Sequence, residues 1–176
     1  MKPDRNKSAR PALDLRGLEA LALSYVGRYA TTEAKLARYL QRKIAERGWG
    51  EEGSPDVSAL VARHAAAGYV DDRAFAAARA GALSRRGYGG RRISQALMVA
   101  GVDRAIGDAL APDADAAFSA AETYARRRRF GPYAAERAAP DLARRQIAAM
   151  MRAGHVFALA RAFVLCDPGQ IPKRDQ

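Results

Sequence analysis

Arginines gathered in short runs are the residues whose type and spacing point most directly to chemistry. They stand at Arg85 and Arg86, at Arg91 and Arg92, at Arg126, Arg127, Arg128 and Arg129, and at Arg144 and Arg145. A guanidinium stays charged in proteins and presents a rigid fork of donors that matches carboxylate or phosphate oxygens in pairs. The chemistry implied is recognition of an anion, not the making or breaking of bonds. The runs flank turns at matching points of successive helical segments, which would align them as a charged stripe and the contact surface for a polyanion. The plainer reading is a set of solvated faces with a few internal ion pairs.

Other residues offer less. Gly87-Tyr88-Gly89-Gly90-Arg91 is glycine-rich, but it lacks the Lys-Ser or Lys-Thr of a nucleotide-phosphate loop and follows a helix instead of a strand. A tight helix-to-helix connection is predicted there, with Tyr88 packed beneath the turn. Asp71 and Asp72 are read as an N-cap and a first-turn acid, not as paired metal carboxylates. His64 falls on an apolar helix face and His155 in a turn after Gly154; their separation makes neither a zinc motif nor a proton relay. Cys166 is the single cysteine, so no internal disulfide or multi-cysteine metal cluster forms. Trp49, between two glycines, is read as packing against the first helices, with stacking on a base as the alternative. No cofactor is expected, and no catalytic group.

The chain of 176 residues carries 30 Lys+Arg against 19 Asp+Glu, a formal net charge of +11. Such an excess speeds encounter with polyanions and binds them without selecting among them. No run of eighteen apolar residues occurs, so no membrane span is expected. The basic N-terminus reads as a tail and not as a signal peptide, which makes the cytoplasm the expected compartment.

These residues sit on a helical frame. Alanine, leucine and arginine dominate, and apolar residues recur at spacings of three and four. A first helix is predicted over about 14–28, with Leu15, Leu18, Leu21, Tyr25 and Val26 on one face. A second, capped by Thr31, carries Leu36, Tyr39, Leu40 and Ile44. A third starts at Ser54-Pro55, buries Val57, Leu60 and Val61, and stops at Gly68. Asp71 or Asp72 caps a fourth, with Phe75, Ala78, Ala82 and Leu83 inward. A fifth carries Ile93, Ala96, Leu97 and Ala100 and ends at Gly101, and Asp103 opens a short sixth with Ile106 and Leu110. A seventh runs over about 113–129 with Ala117, Phe118, Ala121 and Ala125 inward. An eighth holds Ile147, Met150 and Met151 before Gly154, and a ninth holds Val156, Leu159, Ala160 and Phe163.

The pattern repeats. An offset of 57 places Leu18 on Phe75, Leu36 on Ile93 and Leu40 on Leu97. An offset of 43 places Phe75 on Phe118, and one of 53 places Arg91-Arg92 on Arg144-Arg145, Leu97 on Met150 and Gly101 on Gly154. The change between the last two locates an insertion near 131–141. The fold expected is all-α, an elongated array, right-handed or gently curved, of three tandem three-helix modules. Its parts are a disordered basic tail (1–13), a first module (14–68), a second, central module (69–111), a third module with the insertion (112–167) and a flexible C-terminal tail (168–176). Modules this small are partly stabilised by their neighbours, and Tyr69-Val70 is read as a pair that locks one to the next.

Gly68-Tyr69-Val70-Asp71-Asp72-Arg73-Ala74-Phe75-Ala76, followed by Gly87-Tyr88-Gly89-Gly90-Arg91-Arg92-Ile93 and then by Leu97 and Gly101-Val102, resembles the central module of the bacterial RecX family. Arg127-Arg128-Arg129-Phe130-Gly131-Pro132 is similar to a stretch of the same family's third module. The resemblance covers about residues 17–167. It implies tandem three-helix modules that lie in the groove of the RecA recombinase filament on DNA and modulate, usually inhibit, its ATP hydrolysis, strand exchange and coprotease activity, without catalysis or cofactor. Gly68, Tyr69, Asp71, Asp72, Phe75, Gly87, Tyr88, Ile93, Leu97 and Gly101 match as structural markers, and Arg85, Arg86, Arg91 and Arg92 as part of a basic surface. The first module departs from the pattern, with Ala30-Thr31-Thr32 where the second has its glycine turn, and the third carries the insertion with Ala134-Ala135-Glu136-Arg137. The partners implied are the RecA filament and single-stranded and duplex DNA bound without sequence preference, by a monomer. The competing reading is a helix-turn-helix protein that reads DNA in transcription.

Overall fold

A computed structural model describes residues 11–174, so residues 1–10 of the expected basic tail and the last two residues lie outside it. The described chain is helical: α1 (Leu15–Val26), α2 (Glu33–Arg47), α3 (Val57–Ala66), α4 (Asp72–Arg85), α5 (Gly90–Ala100), α6 (Arg104–Ala109), α7 (Ala114–Arg128), a 3-10 turn (Gly131–Tyr133), α8 (Pro140–Arg152) and α9 (Phe157–Leu165). The one extended pairing among the described residues is a parallel bridge between Leu13 and Trp49. The chain divides into two compact units, the first ending at Asp72 and the second beginning at Arg73. Three hydrophobic clusters follow the three groups of three helices.

In the first unit, Leu18 and Ala22 of α1, Leu36 and Leu40 of α2, and Val57, Leu60 and Val61 of α3 close on one another. Each helix start is fixed by a side-chain oxygen that accepts an otherwise unpaired backbone N–H. Asp14 takes Gly17 N–H at 2.7 Å, Thr32 takes Lys35 N–H at 3.2 Å and Asp56 takes Ala59 N–H at 2.8 Å. The caps of α2 and α3 are therefore Thr32, not Thr31, and Asp56, not Ser54. In both places the residue directly before the first helical turn does the capping, and Thr31 is buried instead with its hydroxyl unpartnered.

The segment before α1 is anchored. Leu13 is only 1% exposed, and its backbone exchanges hydrogen bonds with Gly48 and Gly50 at 2.9 and 2.8 Å, on either side of Trp49. Trp49 packs against the core of this unit. Leu15, expected inward, is exposed, whereas Leu13, two residues before it, is buried in the cluster of this unit. Val70 is buried in the first unit's own cluster, and Tyr69 is 58% exposed beside His64, so the pair belongs to this unit.

The second unit has two clusters. Around α4 and α5 are Ala76, Ala80, Leu83, Ile93, Leu97, Ala100 and Val102, with Phe75, Tyr88, Ile106 and Leu110 half-buried against them. Ala78 is exposed and Ala82 only partly covered; the inward stripe of α4 is Ala76, Ala80 and Leu83, which a run of alanines hides from periodicity. Around α7, α8 and α9 are Phe118, Ala121, Ala125, Ala143, Met150, Ala160, Phe163 and Val164. Met151 and Val156, expected inward, are exposed. Residues at the far C-terminus are held as well: Gly169 N–H donates to Pro132 O at 2.9 Å, and the Arg174 guanidinium lies 4.9 Å from the centre of the Phe118 ring.

The start of the expected insertion is pinned, not loose. Gly131 has φ +48°, and a Cβ there would come within 1.8 Å of Phe163 O. Only glycine lets the 3-10 turn lie against the backbone of α9. Gly131→Ala is expected to lower the unfolding free energy by more than about 3 kcal/mol, because backbone must move away from a full core; urea unfolding followed by circular dichroism measures it.

Candidate functional site

The arginine runs are organised by a joint between two turns of the second unit. The turn after α4 holds Gly87, Tyr88 and Gly89; the turn after α8 holds Ala153, Gly154 and His155. Gly89 N–H donates to Ala153 O at 2.9 Å and Arg91 N–H to Gly154 O at 3.2 Å. The free N–H groups at the start of α5, which has no side-chain cap, thus meet the free carbonyls at the end of α8. Opposite ends of the two helix dipoles face each other, which is attractive. The fit needs bare backbone: a Cβ on Gly89 would stand 2.4 Å from Gly154 O, and one on Gly154 2.4 Å from Arg92 N.

His155 completes the joint. It is 2% exposed, and its Nε2 lies 3.0 Å from Gly87 O. A carbonyl only accepts, so Nε2 carries the proton and the neutral ring has that tautomer. Burial holds the His155 pKa below its ordinary value, and the bond to Gly87 O opposes this only in part. The ring meets Tyr124 edge-on at 5.6 Å, and Gly87 lies so close to Tyr124 that a Cβ would come 2.8 Å from its N.

Around this buried centre the joint assembles cations. Arg127 Nη1 donates to Arg86 O at 2.8 Å, joining two runs that stand 41 residues apart in sequence. The Arg86 guanidinium lies 5.5 Å from the Tyr88 ring centre, and that of Arg128 5.7 Å from the Tyr124 ring centre. Arg91 and Arg92 open α5 beside the joint, Arg92 bonded to Gln95 at 3.0 Å. All ten arginines singled out in the sequence are exposed.

They are not equivalent. Arg126 donates to Glu122 at 2.8 Å and to the Tyr133 hydroxyl at 3.3 Å, while that hydroxyl donates to Glu122 at 2.7 Å. The Tyr133 hydrogen bond, followed by other contacts with Tyr133 and Glu122, raises the Arg126 pKa, so the cation is permanent but already paired. Arg129 ends α7 in the left-handed conformation, φ +55°. Arg144 is turned to Asp141 in the first turn of its own helix, and Arg145 is exposed on the same helix. Arg85 closes α4. The geometry therefore singles out Arg86, Arg127 and Arg128.

The sequence markers fall into place in differing ways. Gly87 and Gly101 adopt the positive φ that ends α4 and α5, at +80° each, and Gly68 does so after α3 at +77°. Ile93 and Leu97 are core residues, with Phe75 and Tyr88 against them. Asp72 lies in the first turn of α4, and its carboxylate accepts Glu33 N–H, the first of α2, at 2.9 Å. That role was not visible in its position beside Asp71. Nor were the roles of His155 and Tyr124, since a buried histidine after a glycine turn gives no local sign of its partner. Among the described residues no group of three His, Cys, Asp or Glu is placed to hold a metal, and no helix is long and apolar enough to cross a membrane.

Three groups of three helices, each with its own hydrophobic cluster, define an all-α protein of tandem three-helix modules. Residues 71–109 match the family model described as RecX, second three-helix domain. The regulatory protein RecX of Myxococcus xanthus (strain DK1622) is 32% identical over 182 residues, covering 94% of this chain and 96% of that protein. This chain belongs to the RecX family of regulatory proteins. The same fold is seen in a crystal structure of regulatory protein RecX (TM-score 0.60, 19% identity, 82% of this chain and 70% of that one) and in RecX from Lactobacillus salivarius (TM-score 0.58, 14% identity, 85% and 93%).

Two outcomes test the joint. Gly89→Ala is expected to lower the unfolding free energy by at least about 2 kcal/mol, since it forces α5 off the end of α8; thermal unfolding with matched urea titrations reads this. His155, with a folded-state pKa below the unfolded one, contributes stability that is present above the unfolded value of about 6.5 and is lost as pH falls through the folded value. Unfolding free energy should therefore drop from about pH 7.5 to about pH 5, and His155→Gln should flatten that slope.

Proposed function

We propose that this protein binds the RecA–DNA nucleoprotein filament and restrains its ATP hydrolysis, strand exchange and coprotease activity. The reading rests on family membership and on one observation of its own: exposed Arg86, Arg127 and Arg128 converge on a buried joint that fixes their spacing. Pre-positioned guanidinium groups lose little freedom when they bind carboxylate or phosphate. A rigid ligand held by such contacts across neighbouring recombinase subunits opposes the subunit motion that hydrolysis requires. Long-range charge speeds docking, and the arginine forks fix register. Occupation of the filament groove and capping of a growing filament end both use these contacts.

On this reading the protein is a cytoplasmic monomer without catalytic activity or cofactor. Its binding to bare single-stranded or duplex DNA is salt-sensitive and neutral to sequence, because the cations address backbone phosphate and not base edges. The ten arginines named from the sequence are its contact surface, with Arg86, Arg127 and Arg128 at the centre.

DNA-dependent ATP hydrolysis by the cognate recombinase, titrated with this protein near physiological salt, is the direct test. Suppression near one protein per few recombinase subunits fits groove occupancy, and suppression far below that ratio fits end capping. The double variant Arg127→Glu, Arg128→Glu should need at least about tenfold more protein for half-suppression, with an unchanged circular dichroism spectrum. Full potency in that variant sinks the assignment of the arginine centre. Tight, sequence-specific duplex binding with no effect on the recombinase would replace the reading with a transcriptional one.

A further inference from the structure

Three tyrosines of the first unit stand in a row where α1 turns into α2. The rings of Tyr25 and Tyr39 are stacked, with centres 4.2 Å apart and planes 19° from parallel. Tyr29, carried just past α1 by a backbone hydrogen bond to Tyr25 O, has its ring centre 5.3 Å from that of Tyr25. Tyr25 and Tyr39 also rest on the core cluster, which accounts for them as packing residues. Tyr29 is not so explained: it is 57% exposed and extends the row into solvent.

The surroundings are cationic. Arg42 and Lys43 lie 5.7 and 5.8 Å from the Tyr39 ring centre. Lys35, Arg38 and Arg42 follow one another on α2 at spacings of three and four, which places them along one side of the helix. Arg28 precedes Tyr29 and is exposed. The acids nearby in sequence are Glu33 at the start of α2 and Glu46, which pairs with Arg42 and Lys43 at 3.4 and 2.6 Å. Arg28, Lys35, Arg38, Arg42 and Lys43 thus stand on the segments that carry the row, against Glu33 and Glu46 on the same segments and the Asp72 carboxylate at the first N–H of α2.

We propose that the Tyr29, Tyr25 and Tyr39 row and its cations form a stacking site for the bases of single-stranded nucleic acid. The exposed Tyr29 ring, tilted 50° from that of Tyr25 at the end of the row, offers a flat π-face, which every base can meet, and nearby cations hold the backbone phosphates. Bases inside a duplex present only their edges, so the row distinguishes a single strand from a duplex. An acidic protein surface would satisfy the cations but leave the exposed ring without a flat partner. The site uses none of the arginines of the second unit and needs no recombinase, so it goes beyond the filament reading.

The test is fluorescence anisotropy of a short labelled oligothymidylate, and of a duplex of equal length, titrated with the full chain at several salt concentrations. Tyr29→Ala should weaken oligothymidylate binding about tenfold and duplex binding less than about twofold, with the salt slope unchanged because phosphate contacts remain. Tyr29→Phe, which keeps the ring, should bind like the unaltered protein, and both variants should unfold at its temperature. Equal affinity of Tyr29→Ala and unaltered protein for oligothymidylate overturns the proposal, as does an equal loss on duplex. A defect of Tyr29→Ala seen only when recombinase is added also overturns it and makes the row a protein contact. Arginine variants that fail to relieve recombinase inhibition would sink the filament reading and leave this measurement unaffected.

Discussion

The end of α8 caps the start of α5, and the second unit depends on that contact. Gly89 and Arg91 donate to Ala153 and Gly154, and His155 donates back to Gly87, so three hydrogen bonds cross between two turns 68 residues apart. None of the three involves a flexible surface chain. Removing one group would leave a buried donor or acceptor unpaired, which costs about 1–3 kcal/mol. The same contact sets the positions of Arg86, Arg127 and Arg128, because Gly87 and Tyr124 touch within it. Stability and presentation of charge come from one piece of backbone geometry.

The first unit solves the equivalent problem differently. In the repeat, α2 corresponds to α5, and its leading N–H groups also need acceptors. Thr32 accepts one, and the Asp72 carboxylate accepts that of Glu33. A side-chain cap tolerates a β-carbon at the helix start, so Ala30-Thr31-Thr32 can stand where the second module has Gly87-Tyr88-Gly89. The divergence of the first module from the glycine pattern is therefore a change of capping partner. It frees the α1–α2 turn from the need for close backbone approach and leaves room for the tyrosines beside it.

Much of this was legible in sequence, and the failures share a cause. Leucine and isoleucine at four-residue spacing marked α2 and α5, at Leu36 and Leu40 and at Ile93 and Leu97, and glycines with positive φ marked where helices stop, as at Gly101 and Gly154. Alanine carried no such contrast: in α4 the buried Ala76 and Ala80 look like the exposed Ala78. Cap positions slipped by one or two residues wherever polar candidates were adjacent, at Thr31 and Thr32 and at Ser54 and Asp56. The arginine runs were visible, but not which of them meet, since Arg86 and Arg127 are joined only by the fold. His155 carried no sign of its role because its partner is a carbonyl, which every residue possesses.

The alanine-rich core bears on how function and folding separate. Ala121, Ala125, Ala143 and Ala160 bury little surface each, at about 0.8 kcal/mol per methyl-sized group, so the third cluster rests largely on Phe118, Phe163 and Met150. The Phe118 and Phe163 rings meet at 5.0 Å in a tilted pair. Against this, the exposed ion pairs of the arginine surface, such as Arg126 with Glu122, contribute between zero and about 1 kcal/mol. Fold stability is thus held by few residues, all buried or backbone, and charge is carried by others. Substitution of the exposed arginines changes the charge of the surface while leaving intact the backbone joint that shapes it.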